Sequence, residues 1–274
     1  MNQINHLVQA DLKWVGAHQR FWMDTCAGRD QVAMTMLQAG WAAYEPPLPA
    51  LVAQWCHALC PVFVDVGANT GFYSVLALAA GAHHAHAFEP VAEIAAVLTS
   101  NALVSEVTER LTLYEVALGA NDGQATLYFP LAHHGLVETS ASLNPQFRQQ
   151  HAERRQVRVA RLDAMLMERL PAKVPLLLKI DVESREPDVL KGAQKLLKSA
   201  RPAVVCELLP GYDRAFFQAL CRDYHYAHFA LDSGVPVESV LTGASEAHRD
   251  HLFLPVEQKV AWLAPLAQGA TNAG

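Results

Sequence analysis

The run Val62-Phe63-Val64-Asp65-Val66-Gly67-Ala68-Asn69-Thr70-Gly71-Phe72-Tyr73-Ser74 constrains this chain more than any other segment. A β-branched and aromatic stretch passes into a glycine-punctuated turn, and an apolar helix is expected from Phe72 to Ala80. Gly67 permits a tight strand-to-helix turn, and Gly71 reads as the point where a ligand approaches the backbone. Roughly eighteen residues later, His86-Ala87-Phe88-Glu89-Pro90 reads as a second strand ending in a carboxylate. A carboxylate there can accept both hydroxyls of a ribose. The two segments predict a nucleoside-binding βαβ unit.

The glycines follow Gly67-x3-Gly71 behind Asp65, not G-x-G-x-x-G. The dinucleotide spacing lets a pyrophosphate sit on the helix N-terminus. Asp65 instead puts negative charge where those phosphates would approach, which is unfavourable beside an anion and favourable beside an ammonium or a sulfonium. The chemistry therefore points to S-adenosylmethionine rather than to a nicotinamide dinucleotide. A lone G-x-x-x-G would fit any α/β turn. Asp65 and Glu89 at two strand ends make the pattern specific.

Composition bounds the rest. At 274 residues the chain suits one large α/β domain with an appendage. It is 51% hydrophobic, yet no apolar run is long enough to span a bilayer, and the first residues lack the order of a signal peptide. The five cysteines (Cys26, Cys56, Cys60, Cys206, Cys221) form no C-x-x-C pair, which suits reduced thiols and a cytoplasmic location. A net charge of −6, with no long basic run, disfavours nucleic acid as partner, and no membrane partner is expected. Self-association is left open.

Residues 1–60 read as an N-terminal helical cap carrying Trp14, Trp22, Trp41 and Trp55, broken at Glu45-Pro46-Pro47-Leu48-Pro49. Its aromatics fit plain packing on a sheet better than a lid that walls a substrate pocket. From 61 to 268, strands and helices alternate as in a parallel sheet with helices on both faces. Strands are expected at 62–66, 85–89, 111–117, 124–129, 157–162, 176–181, 202–208, 226–231 and 251–255, and helices at 91–103 and 188–199. Residues 130–155 read as a long irregular loop holding His133 and His134, a place for a mobile acid or base. Residues 269–274 read as a disordered tail.

In an open parallel sheet, ligands bind beyond the carboxyl ends of the strands. Asp65, Glu89, Val116-Ala117, Asp181 with Glu183, and Glu207 stand at those ends. So many carboxylates around one crevice require a cation, a cationic ligand or raised pKa values. Asp181 is placed near the methionyl group or the methyl acceptor, and Glu183 and Glu207 are candidate general bases. Glu183 also fits as a plain residue at a helix start and Glu207 as a surface carboxylate. His83, His84 and His86 read as surface residues. No metal site is expected: a divalent ion would find carboxylates here, but no zinc-type ligand spacing supports one.

These residues resemble the FkbM-type family of S-adenosylmethionine-dependent methyltransferases. The likeness lies in Val64–Ser74, in Phe88-Glu89-Pro90, in Lys179-Ile180-Asp181-Val182-Glu183 with Val189-Leu190-Lys191-Gly192-Ala193, and in Arg201-Pro202 through Glu207. It covers roughly residues 60–255. It implies an α/β, Rossmann-like, seven-stranded class I methyltransferase sheet with its last strand antiparallel, and an O-methyltransferase acting on a hydroxyl of a sugar or secondary metabolite. The residues expected at the cofactor are Asp65, Gly67, Asn69, Thr70, Gly71, Glu89, Pro90, Val116, Ala117 and Asp181, with Asp181, Glu183 and Glu207 facing the acceptor. One departure stands out: Ser184-Arg185-Glu186-Pro187 replaces the family's usual Gly-x-Glu, which can reshape the acceptor pocket. A nucleic-acid methyltransferase and a non-catalytic S-adenosylmethionine-binding protein are the competing readings.

Overall fold

A computed structural model describes residues 6–13, 19–130, 141–145, 151–231, 234–241 and 249–269. The chain opens with β1 (Leu7–Asp11) and β2 (Arg20–Asp24), paired antiparallel, so the expected all-helical cap is corrected at its start. The reason is a period of two: Val8, Ala10, Phe21 and Met23 are buried while their neighbours face outward. Helix α1 (Gln31–Ala39) follows, its N-cap Asp30 accepting the Ala33 N–H, and then α2 (Leu48–Leu59). Trp55 of α2 packs edge-on against Trp262 and donates to its carbonyl, a plain core role.

The βαβ unit is β3 (Val62–Val66), α3 (Phe72–Ala80) and β4 (His84–Phe88), with the expected helix bounds. All five residues of β3 are buried, as in a central strand covered on both faces. Next come α4 (Ala92–Val104), β5 (Leu111–Tyr114) and β6 (Ala117–Leu118), so the expected strand at 111–117 is interrupted. Strands β7 (Gly123–Pro130) and β8 (His151–Ala160) pair antiparallel and form a separate sheet with β6. Leu162 begins α5 (Leu162–Leu166) rather than ending a strand.

Strand β9 (Leu176–Ile180) leads to α6 (Glu186–Lys191) and α7 (Gln194–Ser199). The single helix expected there is broken because Asp163 accepts the N–H groups of Lys195 and Leu196, fixing a new helix start. The remaining elements are β10 (Ala203–Glu207), α8 (Arg214–Tyr224), β11 (Tyr226–Ala230), β12 (Val237–Glu238), β13 (Asp250–Pro255) and α9 (Lys259–Gly269). Helix α9 includes Gly269, where the tail was expected to begin; 270–274 lie outside the described residues, as do Trp14, His133 and His134.

The main sheet runs β12-β11-β13-β10-β9-β3-β4-β5. Strand β13 lies antiparallel between β10 and β11, as expected for the last strand, and the eighth strand is only the two-residue edge strand β12. Alternation along the central strands divides the core. Val62, Val64 and Val66 pack with Leu178 and Phe217 on one face. Phe63, Leu177 and Val205 pack on the other against α2, α3 and the N-terminal strands.

Gly71 has φ +91°, and a Cβ there would lie 2.6 Å from Leu98 Cγ of α4. Its missing side chain therefore serves helix packing against α4. Gly71→Ala is expected to lower unfolding stability by about 2 kcal/mol through left-handed strain and the clash with Leu98. Urea unfolding with an unchanged midpoint would contradict this packing role.

Candidate active site

Period-two alternation decides which side chains meet. Asp65 of β3 is in register with Lys179 of β9, and Glu207 of β10 with Asp250 of β13. These positions share the sheet face covered by α3 and the N-terminal segment, the face of Phe63, Leu177 and Val205. A cavity of about 1040 Å³ opens at the carboxyl ends of β3, β4, β9 and β10. Gly67, Asn69, Thr70, Glu89, Pro90, Val116, Ala117, Asp181, Glu183 and Glu207 all line it.

Asp65 and Gly71 do not. Asp65 is buried, and its Oδ2 accepts the Ser74 hydroxyl at 2.7 Å. It sits in the sheet beneath the site rather than in its wall. Gly67 is forced by crowding as well as by its φ of +81°, since a Cβ would lie 1.9 Å from the Asp181 carbonyl oxygen. The glycine turn and the end of β9 are thus in direct contact.

Glu89 follows β4 directly and is buried. The Asn69 N–H donates to its Oε2 at 3.1 Å and the Val91 N–H to its Oε1 at 2.9 Å. Each oxygen keeps acceptor capacity for one further donor. Burial pushes the Glu89 carboxyl up to about 7, against the opposing pull of the two N–H groups.

The opposite end of the cavity is rich in carboxyls. Lys179 Nζ lies 2.9 Å from Asp181 Oδ2, with the lysine side chain almost wholly buried. Burial alone would depress that ammonium; Asp181, Asp65 and Glu45 outweigh it and hold it above the usual lysine range. The ammonium also lies 4.6 Å from the centre of the Tyr73 ring. Burial, then the charges of Asp181, Glu183 and Glu45, push Glu207 up to about 10, and burial and Glu45 raise Asp250 to about 7. Arg249 approaches Glu207 at 3.5 Å. A carboxylate cluster needs compensation, and here it meets one buried cation, Lys179, and raised carboxyl pKa values at Glu207 and Asp250.

The segment 182–185 departs from regular backbone. Glu183 and Ser184 have φ of +55° and +75°, in the left-handed region. The Glu186 carboxylate accepts the N–H groups of Val182 and Ser184, and the Ser142 hydroxyl donates to the Glu183 carbonyl at 2.7 Å. Arg185 lines the cavity and pairs with Asp188 at 3.1 Å. His86 is buried beside Tyr114, correcting its reading as a surface residue.

Sequence reasoning left out Lys179, Asp250, and the pair Tyr44 and Glu45, which reach the cavity from the N-terminal segment. Lys179 had a signal: a lysine in the otherwise apolar strand Leu176–Ile180. The N-terminal segment therefore walls the pocket through Gln31, Val32, Tyr44 and Glu45, while Trp22, Trp41 and Trp55 do not line it. Among the described residues, no group of three or more His, Cys, Asp or Glu side chains is arranged to hold a metal ion.

The methyltransferase FkbM domain family matches residues 65–229, more than half of the chain, and the chain belongs to that family. No curated protein sequence matches it. Solved structures with a similar fold include the methyltransferase FkbM of Methylobacillus flagellatus KT, 15% identical, TM-score 0.43, aligned over 71% of this chain and 43% of that one. The O-methyltransferase TomG of Streptomyces achromogenes, involved in tomaymycin synthesis and solved with S-adenosylmethionine, is 13% identical, TM-score 0.43, over 84% and 88%. The ribosomal protein L11 methylase of Lactobacillus delbrueckii subsp. bulgaricus is 11% identical, TM-score 0.41, over 76% and 75%. The chain spans less than half the length of the first of these. No helix among the described residues is long and apolar enough to cross a membrane.

Glu207 carries its proton up to about pH 10, whereas an unfolded glutamate releases it near pH 4. Between those values the folded chain binds the extra proton. The contribution to stability is full below the lower value and is lost as pH rises through the upper one. Thermal stability of the ligand-free protein is therefore expected to fall from about pH 7 to about pH 8, on the order of 1 kcal/mol per pH unit. Glu207→Gln should flatten that slope; equal slopes in both proteins would contradict the reading.

Proposed function

We propose that this chain is an S-adenosylmethionine-dependent O-methyltransferase acting on a hydroxyl of a small molecule, of the sugar or secondary-metabolite class. The observation that carries the cofactor reading is Glu89. Its two oxygens are each fixed by one backbone N–H and each keep room for one ribose hydroxyl. Pro90, Val91, Val116, Ala117 and Leu118 supply an apolar wall for the adenine beside it. Gly67, Asn69, Thr70 and Asp181 would hold the methionyl part, where Asp181 offers charge to its ammonium. The residues present fit the cofactor.

When bound, S-adenosylmethionine supplies an electrophilic methyl group on a positively charged sulfur. The chain's own work is to orient the acceptor, exclude water and receive a proton. Glu183 and Glu207 stand where an acceptor hydroxyl would approach, beside Tyr212 and Leu209. Burial and the neighbouring carboxylates raise the Glu207 pKa, and a cationic group in the cavity would lower it toward that of a base.

The acceptor end carries Glu45, Asp181, Glu183 and Glu207 against Lys179, Arg185 and Arg249, and the whole chain has a net charge of −6. A net negative chain repels a polyanion, which favours a small molecule over nucleic acid. All five cysteines are free thiols, which supports a reducing, cytosolic setting.

Glu89→Ala is expected to weaken binding of S-adenosylmethionine and S-adenosylhomocysteine alike by about 1–3 kcal/mol. Calorimetry finding unchanged affinity for both would remove Glu89 from the ribose role. Glu183→Gln and Glu207→Gln should spare cofactor binding and slow methyl transfer across a panel of hydroxylated acceptors. Full turnover in both variants would exclude them as bases.

A further inference from the structure

The strand order β10-β9-β3-β4-β5 lays the cavity out in one line. With the ribose at Glu89, beyond β4, and the adenine wall at Val116–Leu118, beyond β5, the rest of the cofactor must extend the other way. It would pass over the turn after β3 and the end of β9. The sulfonium is separated from the ribose ring by a single carbon, so it would lie above that junction.

The group standing there from outside the family's matched segment is Glu45. It precedes residues 65–229 and is held in left-handed backbone with φ +48°. A non-glycine residue persists in that conformation when its surroundings fix it, and such residues gather at functional sites. The Tyr73 hydroxyl donates to Glu45 Oε2 at 3.0 Å. Tyr73 is itself buried, with the Lys179 ammonium against its ring. Glu45, Tyr73, Lys179 and Asp181 all line the cavity. The N-terminal segment therefore delivers a carboxylate, fixed by a hydrogen bond, to the junction of β3 and β9.

We propose that Glu45 is a specificity-determining residue whose carboxylate faces the sulfonium and selects S-adenosylmethionine over S-adenosylhomocysteine. This rests on the cofactor reading above. The two ligands share ribose, adenine and methionyl ends and differ at sulfur by one methyl and one positive charge. Glu89 and the glycine turn see the shared parts; Glu45 sees the difference. Burial and the nearby Asp181 carboxylate raise the Glu45 pKa, with Lys179, Tyr73 and Tyr44 opposing them. The titrations are therefore compared at two pH values, the higher one favouring the ionised carboxylate.

The test is isothermal titration of the full chain with S-adenosylmethionine and with S-adenosylhomocysteine, for the natural protein, Glu45→Gln, Glu45→Asp and Tyr73→Phe. Glu45→Gln should weaken S-adenosylmethionine roughly tenfold, the size of one charge interaction at a partly solvated site. S-adenosylhomocysteine should change less than about twofold. Glu45→Asp should recover part of the discrimination, because the charge is kept, and Tyr73→Phe should lose part of it, because the carboxylate is released. Equal losses for both ligands, or none, would overturn the proposal while leaving the cofactor reading standing. If Glu45→Gln melts early, Tyr73→Phe decides: an unchanged affinity ratio overturns the proposal. Failure of the natural protein to bind either ligand would instead overturn the cofactor reading, and the proposal with it.

Discussion

One buried ammonium holds the site together. Lys179 sits near the carboxyl end of a central strand, paired with Asp181 at 2.9 Å and packed on the Tyr73 ring. Taking such a charge out of water costs several kcal/mol unless oppositely charged partners surround it. Here the partners are the carboxyls that line or underlie the cavity: Asp181, Asp65 and Glu45. The dependence runs both ways, since Asp65 would be a buried anion without the lysine and Asp181 and Glu45 would be half-buried ones. Lysine and carboxyls form one electrostatic unit at the carboxyl ends of β3 and β9.

Parity then decides who joins that unit. Asp65, Lys179, Asp181, Glu207 and Asp250 come to one sheet face because strands alternate with period two and because β13 inserts antiparallel beside β10. The same face receives α3, which carries Ser74 to Asp65 and Tyr73 to Glu45. The N-terminal strands and α2 cover it from outside. Charges excess to Lys179 are relieved by protons, as at Glu207 and Asp250. A cationic ligand can take their place.

Much of this was legible in the chain. The turn from Asp65 to Gly71, the bounds of α3 and the carboxylate after β4 follow from local rules: β-branched strands, glycines at positive φ, a buried apolar helix. The sequence also places five carboxylates at strand ends, and their mutual repulsion is predictable. What was hidden is long-range. Glu45 reads as a residue before a proline pair, and nothing local announces that it meets Tyr73, 28 residues away. The N-terminal strands were missed although Leu7–Asp11 and Arg20–Asp24 alternate, because the neighbouring tryptophans and alanines favour a helical reading. Gly71 shows the limit of motif reading: the residue is needed, but its reason is Leu98.

The central claim is that the crevice above β3, β4 and β9 binds S-adenosylmethionine with its ribose on Glu89 and its charged end toward the Lys179–Asp181–Glu45 cluster. A crystal structure of the chain with S-adenosylhomocysteine tests it most directly. The account predicts both ribose hydroxyls within hydrogen-bond distance of the two Glu89 oxygens, adenine against Val116–Leu118, and the sulfur over the junction of β3 and β9. A ligand bound elsewhere, or with its ribose turned away from Glu89, would contradict it.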